Sequence, residues 1–472
     1  MDLFGTAGIR GSAVETVTPE LALAVGRAAG RDGSEFVVAR DGRETGPALA
    51  AAMEAGLESA GADVRRAGRL PTPALAFASR GRRGVMITAS HNPPTDNGIK
   101  LFADGQEYDR EAELTVEDRV EADDPPGAWD EWGDSERVGV LDAYRDAVVE
   151  YTVERSSTSN RTQSDDARQQ GAPLDGLRVA VDCGNGVAAL ATPQVLRALG
   201  AEVVTLNANV DGHFPGRESK PTPETLADLR EFVRTGDAEL GIGHDGDADR
   251  IVVVDSDGEV VHEDTVVAVL AAHYTRESDA ADPVVVTTPN ASGRIDERVE
   301  AEGGRVERVR LGALHEGIAT AREDGGPDTE VAFAAEPWKH VHTRFGGWID
   351  GVTSAAVVCR LVAEAGGVGP LREPVTERPY RKRSVSCPDA AKGGAMERLE
   401  TAIPERFPEA SVETEYGVRA AFPDGSWVLV RPSGTEPYVR VYAESDDVDA
   451  LVAEAVAVVE AAVEATAVGD SE

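Results

Sequence analysis

The sequence predicts an α/β fold: three similar domains with mixed or mostly parallel sheets and a smaller C-terminal α+β domain, arranged around a central cleft. The first observation is length, because 472 residues are too many for one hydrophobic core. The second is a pattern that occurs three times, in which an apolar run is followed by a polar loop, an amphipathic helix, a glycine and another apolar run. These copies begin near Phe36, Leu177 and Pro283. Their strands start roughly 20 to 27 residues apart, as parallel βαβ units require.

The order of these elements predicts the limits of four domains: 1–138, 139–258, 259–372 and 373–472. Between the first two, 141–154 has the pattern of a helix. The polar stretch 155–173 that follows predicts a flexible surface insertion without chemistry. We expect the last domain to swing about a hinge at 373–382. A terminal helix is predicted over 448–468.

The chain is strongly acidic, with 47 Lys+Arg against 85 Asp+Glu and a formal net charge of −38. Lysine occurs only at Lys100, Lys220, Lys339, Lys382 and Lys392. This composition is typical of proteins adapted to a salt-rich cytoplasm, where screening reduces self-repulsion. It argues against nucleic-acid binding, which needs a basic face. Because 41% of the residues are hydrophobic, the chain is not an acidic disordered protein.

The compartment is predicted from three further features. Cys183, Cys359 and Cys387 are far apart and form no CxxC pair, which indicates a reducing compartment and no structural zinc. The first residues lack a basic segment followed by an apolar one, so we expect no signal peptide. No apolar run approaches 18 residues, so we expect no membrane span. The predicted location is the cytoplasm.

A cluster of aspartates is the strongest sign of chemistry. Asp245, Asp247 and Asp249 alternate between two apolar runs, and their charges would repel strongly with nothing between them. A hard divalent cation with oxygen ligands removes this repulsion, and Mg²⁺ keeps positions open for a phosphate. Arg250 adds a fixed cation for a phosphate oxygen. Taken alone, the motif also fits an acidic turn of a salt-adapted protein.

A serine loop follows the apolar run 85–87. Ser90 lies among Asn, Pro and Gly residues, with His91 beside it and Lys100 ten residues later. A hydroxyl held in this way can accept a phosphoryl group. By itself the segment also fits an ordinary loop.

Two segments have the composition of an anion site. In 431–437, an arginine, two hydroxyls and an exposed glycine backbone offer donors to a phosphate, although a capped turn has the same composition. In 4–11, Arg10 stands between flanking glycines. The segment 40–43 is a weaker case and also fits a salt-bridged loop. In 336–340, a Glu, an indole and a His are suited to sugar hydroxyls and a ring face, although a loose acidic-aromatic loop has the same composition.

Together and in this order, these motifs resemble the α-D-phosphohexomutase superfamily, which includes phosphoglucomutases, phosphomannomutases and phosphoglucosamine mutases. The acidity resembles that of haloarchaeal members. The matching segments are 4–11, 88–100, 245–250, 336–340 and 431–437. The resemblance implies a Mg²⁺-dependent isomerase that interconverts hexose 6-phosphate and hexose 1-phosphate. It also implies a phosphoserine and a sugar bisphosphate that serves as intermediate and activator.

The resemblance assigns the reacting groups residue by residue. Ser90 would be the phosphoserine and, together with Asp245, Asp247 and Asp249, would hold one Mg²⁺.

The resemblance also assigns the catalytic and binding groups. Lys100 and Arg250 would stabilise the transferring group, with Arg10 as a further catalytic residue, and His340 would handle the proton of a sugar hydroxyl. The phosphate that is not transferred would be bound by four residues of the C-terminal motif: Arg431, Ser433, Gly434 and Thr435. The sugar would be contacted by Glu336, Trp338 and Lys339.

The sugar loop departs from the family pattern, so substrate choice cannot be copied across. Trp338 stands where the family often has Ser, Lys339 where it has Gly, and Val309 where it has Thr. Pro337 after the Glu is similar to archaeal phosphoglucosamine mutases and favours that sugar. Phosphoglucomutase/phosphomannomutase and phosphopentomutase activities stay open, as do a metal-dependent phosphatase and an inactive sugar-phosphate sensor. The oligomeric state, monomer or dimer, also stays open.

Overall fold

The computed structural model describes residues 3–5, 8–158, 172–433 and 436–469. The chain forms two compact units. The first comprises residues 1–263 and 338–372, and the second comprises 264–337 and 373–472. This division is coarser than the four predicted domains, whose limits stay a prediction.

The strands are numbered in chain order: β1 (Ile9–Ser12), β2 (Glu35–Arg40), β3 (Asp63–Arg69), β4 (Arg83–Ile87), β5 (Asp96–Ala103), β6 (Gln106–Glu107), β7 (Ser135–Arg137), β8 (Arg178–Asp182), β9 (Glu202–Leu206), β10 (Leu240–His244), β11 (Ile251–Val254), β12 (Asp282–Thr287), β13 (Arg305–Arg308), β14 (Thr329–Glu336), β15 (Lys339–Val341), β16 (Tyr380–Ser386), β17 (Ser411–Glu413), β18 (Val418–Ala421), β19 (Trp427–Pro432) and β20 (Tyr438–Glu444).

The α-helices are numbered in the same way: α1 (Pro19–Ala29), α2 (Gly46–Ser59), α3 (Thr72–Ala78), α4 (Arg110–Glu121), α5 (Leu141–Thr158), α6 (Thr192–Ala198), α7 (Ala227–Thr235), α8 (Glu263–Arg276), α9 (Gly293–Ala301), α10 (Leu314–Asp324), α11 (Gly351–Ala365), α12 (Val368–Arg372), α13 (Asp389–Arg406) and α14 (Val448–Gly469).

The first unit contains two sheets. The first sheet has the order β1-β5-β4-β2-β3-β7, with β6 added to β5. Its centre is parallel, because β2 pairs parallel with β3 and β4, whereas β5 is antiparallel to β1 and β4. The second sheet has the order β11-β10-β8-β9, and only β11 runs against its neighbour. Each sheet is therefore mixed around a parallel core, as predicted.

Apolar side chains on one face of these strands and helices form the core of the first sheet. Phe36 and Val38 of β2 are buried against α1 and α2, which pack closely on each other. Helix α1 begins where the Thr18 hydroxyl accepts a hydrogen bond from the Leu21 N–H and Pro19 occupies the first helical position. Similar capping by Asp350 begins α11. The predicted helix 141–154 extends to Thr158, and residues 159–171 of the predicted insertion lie outside the described residues.

The second unit contains a parallel α/β sheet and an antiparallel sheet. Strand β12 lies between β13 and β14 and is parallel to both. The antiparallel sheet has the order β16-β20-β19-β18-β17 and packs against α13 and α14 through one apolar cluster. A buried ion pair joins the two layers, because Arg294 of α9 donates to Glu444 of β20 over 2.9 Å. The predicted fold class, three α/β sheets followed by an α+β domain, is confirmed.

In the part of the chain that the structure describes, no helix combines the length and the apolar composition needed to cross a membrane. All three cysteines are buried free thiols.

Candidate active site

The serine loop begins where β4 ends at Ile87. Ser90 is fully buried and has a φ of +52°, a left-handed backbone conformation that costs energy for a residue with a side chain. Its Oγ donates a hydrogen bond to Oδ2 of Asp245 over 2.8 Å, although 155 positions separate the two residues. The Nδ1 atom of His91 lies 3.3 Å from the same hydroxyl. The structure therefore brings the predicted nucleophile into direct contact with the aspartate cluster.

Arg43 holds this loop in place, a role that sequence reasoning missed. Its fully buried guanidinium donates to four backbone carbonyls, those of Ser90 (3.0 Å), Asn92 (2.7 Å), Pro93 (2.5 Å) and Asp96 (2.8 Å). Only a forked donor with five N–H groups can bind so many acceptors at once.

Asp41 orients this guanidinium and extends the network to the serine backbone. Its Oδ2 accepts from Nε of Arg43 over 3.1 Å and from the hydroxyl of Thr88 over 2.7 Å. The Thr88 oxygen in turn accepts from the Ser90 N–H over 2.9 Å. Burial raises the pKa of Asp41 to about 6, against the opposing effect of Arg43. The segment 40–43 is thus the salt-bridged loop that the sequence analysis left open, and it supports the serine.

The three aspartates lie in the turn between β10 and β11 and are almost completely buried. One carboxylate oxygen from each lies within 4.8 Å of the others. Asp247 is fixed from outside the motif, because the hydroxyl of Thr72 donates to its Oδ2 over 2.6 Å. Thr72 was not predicted, since only the folding of β3 and α3 onto the turn brings it there. A Cβ added at Gly246 would lie 2.6 Å from the Ser90 carbonyl, so this position needs glycine.

Two cations complete the cluster. Nζ of Lys100 lies 3.3 Å from Asp249 and 3.2 Å from Glu107, and Nε of Arg250 lies 3.7 Å from both Asp245 and Asp249. Burial would lower the pKa of Lys100, but the charges of Glu107 and the aspartates raise it above its ordinary value. Lys100 is therefore a permanent cation beside the serine loop.

The carboxylates respond to burial and charge in opposite ways. Burial, reinforced by the neighbouring carboxylates, raises the pKa of Asp245. Burial acts in the same direction on Asp249, but the charges of Lys100, Arg250 and Lys339 outweigh it and lower its pKa. The raised pKa of Asp245 is the effect expected where carboxylates are buried close to one another, and the lowered pKa of Asp249 is the effect of the cations beside it.

The donor set fits a magnesium ion. Oδ1 of Asp247 and Oδ1 of Asp249 are buried and accept no hydrogen bond from the residues that the structure describes. With Asp245 they offer hard oxygen ligands on a tight turn, next to a serine hydroxyl. Oxygen ligands of this kind, few in number and close to a phosphate acceptor, suit Mg²⁺.

Arg10 lies near the same loop. It stands in β1 opposite Gly98 of β5, and its charge, with that of Arg250, adds to the burial that lowers the pKa of His91 to about 3. The Nε atom of Arg10 is buried and has no acceptor among the described residues. The serine loop is thus surrounded by cations in a chain of net charge −38.

His340 lies in β15 and is completely buried in a hydroxyl network. Its Nδ1 lies 3.0 Å from Oγ of Ser354, and Nε2 of His342 lies 2.8 Å from the same oxygen. Because the Ser354 hydroxyl donates to the Asp350 carbonyl over 2.6 Å, both imidazoles must donate to it. His340 therefore carries its proton on Nδ1 and keeps a lone pair on Nε2. Burial lowers its pKa to about 3, so the ring is neutral.

Two of the three departures from the family pattern, Trp338 and Lys339, differ in their surroundings. Trp338 has a φ of +71° and packs with Phe232 and Val260 against an apolar cluster of the second sheet. Lys339 forms a backbone bridge with Arg250, and its charge helps to lower the pKa of Asp249. In the second unit, Oε1 of Glu336 accepts a hydrogen bond from the Gly312 N–H and so joins β14 to the loop after β13. Contacts of these three residues with a sugar stay a prediction.

The predicted phosphate loop lies between β19 and β20. Arg431 donates to the Tyr442 hydroxyl over 3.1 Å, while its Nε and the Ser433 hydroxyl are buried with no partner in the described parts of the chain. Donors kept free in this way are suited to an anion. Gly434 and Thr435 lie outside the described residues.

Lys392, which sequence reasoning missed, fixes both ends of the phosphate loop. Its Nζ donates to the carbonyls of Ser433 (2.6 Å) and Glu436 (2.7 Å). It belongs to α13, some 40 positions earlier, so no local pattern connects it with the loop.

The chain matches three segments of one family: "Phosphoglucomutase/phosphomannomutase, alpha/beta/alpha domain I" over residues 1–126, "alpha/beta/alpha domain II" over 155–258 and "C-terminal domain" over 385–461. It is 42% identical to a phosphopentomutase of Thermococcus kodakarensis and 41% identical to a probable phosphoglucosamine mutase of Methanopyrus kandleri, in both cases over 94% of each chain. A solved phosphoglucomutase/phosphomannomutase family protein of Burkholderia thailandensis is 27% identical, with a TM-score of 0.81 over 98% of this chain and 97% of that one. The chain therefore belongs to the phosphoglucomutase/phosphomannomutase family.

Proposed function

We propose that this protein is a Mg²⁺-dependent phosphosugar mutase that moves a phosphoryl group between the 6- and 1-positions of a hexose by way of Ser90. The observation that carries the proposal is the 2.8 Å hydrogen bond between Ser90 Oγ and Asp245. A hydroxyl in contact with a triple-carboxylate cluster is where a phosphoserine and a divalent cation would share an oxygen.

In the transfer step, one bond to phosphorus breaks, another forms, and one proton moves. The bond between phosphorus and Ser90 Oγ breaks while a bond forms between phosphorus and a sugar hydroxyl oxygen. The proton of that hydroxyl goes to the lone pair on Nε2 of His340, and the serine oxygen leaves as an anion beside cations. The return step, at the other end of the sugar bisphosphate, restores the phosphoserine. Phosphoryl transfer needs little from the protein beyond positioning and cations around the equatorial oxygens.

The residues divide this work. Lys100 and Arg250 face the transferring group, and Arg10 adds a third cation. Bound at the three aspartates, Mg²⁺ would neutralise charge on the phosphoryl oxygens. The phosphate that is not transferred would bind Arg431 and the residues that follow it.

Two sugars are the leading candidates. Similarity to probable phosphoglucosamine mutases, together with the Pro337 variant of the sugar loop, favours glucosamine phosphate. The similarity to a named phosphopentomutase supports a pentose phosphate as the second candidate.

The test is a kinetic panel of glucosamine, glucose, mannose and ribose phosphates with MgCl₂ and a sugar bisphosphate, over a range of KCl concentrations. We expect isomer formation that Ser90→Ala reduces by several orders of magnitude, as loss of a covalent nucleophile does. Ser79→Ala is the matched control, because Ser79 at the end of α3 is equally buried, and its hydroxyl donates to the Ala76 carbonyl and accepts from the Gly105 N–H rather than contacting the aspartates. Release of inorganic phosphate without isomer, undiminished in Ser90→Ala, would instead identify a phosphatase.

A further inference from the structure

A cavity of about 390 Å³ lies in the second unit, next to the strand that leads into the phosphate loop. Its walls come from the end of β13, from α10 and from the turn between β17 and β18, and neither Arg431 nor Ser433 lines it. A water molecule occupies about 30 Å³ of liquid, and small-ligand sites begin at about 300 Å³, so the space is large enough for a small metabolite.

Arg419 of β18 lines this cavity, and its guanidinium forms no direct ion pair in the part of the chain that the structure describes. It is only 5% exposed, and it makes neither a hydrogen bond nor an ion pair with any residue in the described ranges. The guanidinium carbon of Arg419 lies over the ring of Trp427, 4.7 Å from the ring centroid. Guanidinium groups carry five donors and are almost never buried without acceptors, because an uncompensated buried charge is costly.

A second guanidinium lines the same wall. Arg308 of β13 directs its two terminal nitrogens at Asp296, over 2.9 and 2.7 Å, and its Nε is buried without an acceptor in the described chain. Burial, followed by the charge of Arg308, lowers the pKa of Arg419 to about 10, so both groups stay charged at neutral pH. Arg419 and the largely buried Arg308 thus have one ion-paired carboxylate between them, the half-buried Asp296, and the Nε atoms of both arginines have no acceptor in the described chain.

The outer part of the cavity has the opposite character. Glu413 and Glu415 are exposed at its edge, with the half-buried Tyr416 beside them. Glu307 and Asp324 also line the cavity, and Glu413 stands opposite Arg419 in the β17–β18 ladder. These carboxylates can accept hydrogen bonds from hydroxyl groups and repel a second anionic end. The arrangement selects a ligand with one oxyanion and a polar, hydroxyl-bearing remainder.

We propose that this cavity is an effector site for a small hydroxylated oxyanion, such as a phosphorylated or carboxylated polyol, held by Arg419 and Arg308. Its ligand joins the parallel sheet to the antiparallel sheet within the second unit. It also acts on the loop after β13, because Val309 lines the cavity and Gly312 of the same loop donates to Glu336. The site does not depend on the proposed mutase reaction, since Arg419 and Arg308, which hold the ligand, have no part in that reaction.

The test uses the full chain without metal and inorganic phosphate as the probe, with binding followed by calorimetry and by the thermal midpoint. We compare the wild type with Arg419→Met and with Arg431→Gln, which alters the phosphate loop instead. In phosphate-free buffer we expect Arg419→Met to melt at or above the wild-type temperature, because an unpaired buried charge has been removed. With phosphate, Arg419→Met should lose one class of binding sites that Arg431→Gln retains, or bind at least tenfold more weakly there.

One more variant and two more ligands complete the experiment. Arg419→Lys keeps a charge without the fork and should bind phosphate with intermediate strength; it replaces the Met variant if that one does not fold. Glycerol 1-phosphate and glycerate in place of phosphate distinguish phosphate from carboxylate carriers. Phosphate binding that is unchanged in both Arg419 variants, or that Arg431→Gln abolishes completely, would overturn the proposal.

Discussion

Removing the Arg43 guanidinium should release the serine loop. Arg43→Met keeps the approximate length of the side chain but leaves four carbonyls and the buried Asp41 carboxylate without their donor. Breaking a buried pair by removing one partner costs about 3 to 5 kcal/mol. Since 1.4 kcal/mol is a factor of ten, the loop should open about 140 to 3700 times more often.

Hydrogen–deuterium exchange of the peptide 88–98 measures this opening directly. Arg40→Met is the matched control, because the side chain of that neighbouring arginine makes one hydrogen bond within the described ranges, to the Asp41 carbonyl over 3.2 Å. Its effect on exchange should stay below tenfold. The double variant Arg43→Met with Asp41→Asn should exchange more slowly than Arg43→Met alone, because the unpaired carboxylate is gone. Wild-type exchange rates in Arg43→Met would refute the claim that this arginine holds the loop.

Three further predictions concern the metal, the tautomer and the protonation of the active site. Chelation of metal should abolish turnover and lower the thermal midpoint. In EDTA, where nothing relieves the repulsion between the carboxylates, Asp247→Asn should melt at a higher temperature than the wild type, and it should not do so with metal present. Equal midpoints of the two proteins in EDTA would contradict the metal site. Ser354→Ala should let the proton of the His340 ring move away from Nδ1, a change that ¹⁵N NMR detects. Thr353→Ala, on the same helix turn, should leave the proton on Nδ1. An unchanged Nδ1–H signal in Ser354→Ala would disprove the proposed tautomer of His340. The pKa of His340 falls from about 6.5 in the unfolded chain to about 3 in the folded protein. Between pH 6.5 and pH 3 the unfolded chain therefore binds more protons than the folded protein. The free energy of unfolding consequently decreases as the pH falls, by at most about 1.4 kcal/mol per pH unit. His340→Asn should lack this contribution to the pH dependence of stability. If the unfolding free energies of the two proteins ran parallel from pH 6.5 to 4, the contribution of His340 would be disproved.

The sequence predicted the elements whose signal is local. Strands such as β2, β10 and β19 are short apolar runs that end in polar loops, and the three aspartates alternate within one turn, so both can be recognised from neighbouring residues. The fold class followed from the repetition of these runs.

What the sequence did not indicate depends on contacts between distant positions. Arg43 binds carbonyls about 50 residues away, Thr72 reaches Asp247 over 175 positions, and Lys392 holds a loop 41 positions later. None of these residues belongs to a periodic pattern, and backbone carbonyls leave no trace in composition. The left-handed φ of Ser90 and Trp338 is equally invisible, because neither is a glycine or an asparagine.

The most direct test of the account is the chemical fate of Ser90. The protein is incubated with a hexose bisphosphate labelled with ³²P and with MgCl₂, quenched within one turnover, and digested for mass spectrometry. We predict stoichiometric label on the peptide that contains Ser90, and its transfer to unlabelled sugar phosphate at the rate of catalysis. Isomerisation that proceeds at its normal rate without label on Ser90 would contradict the account.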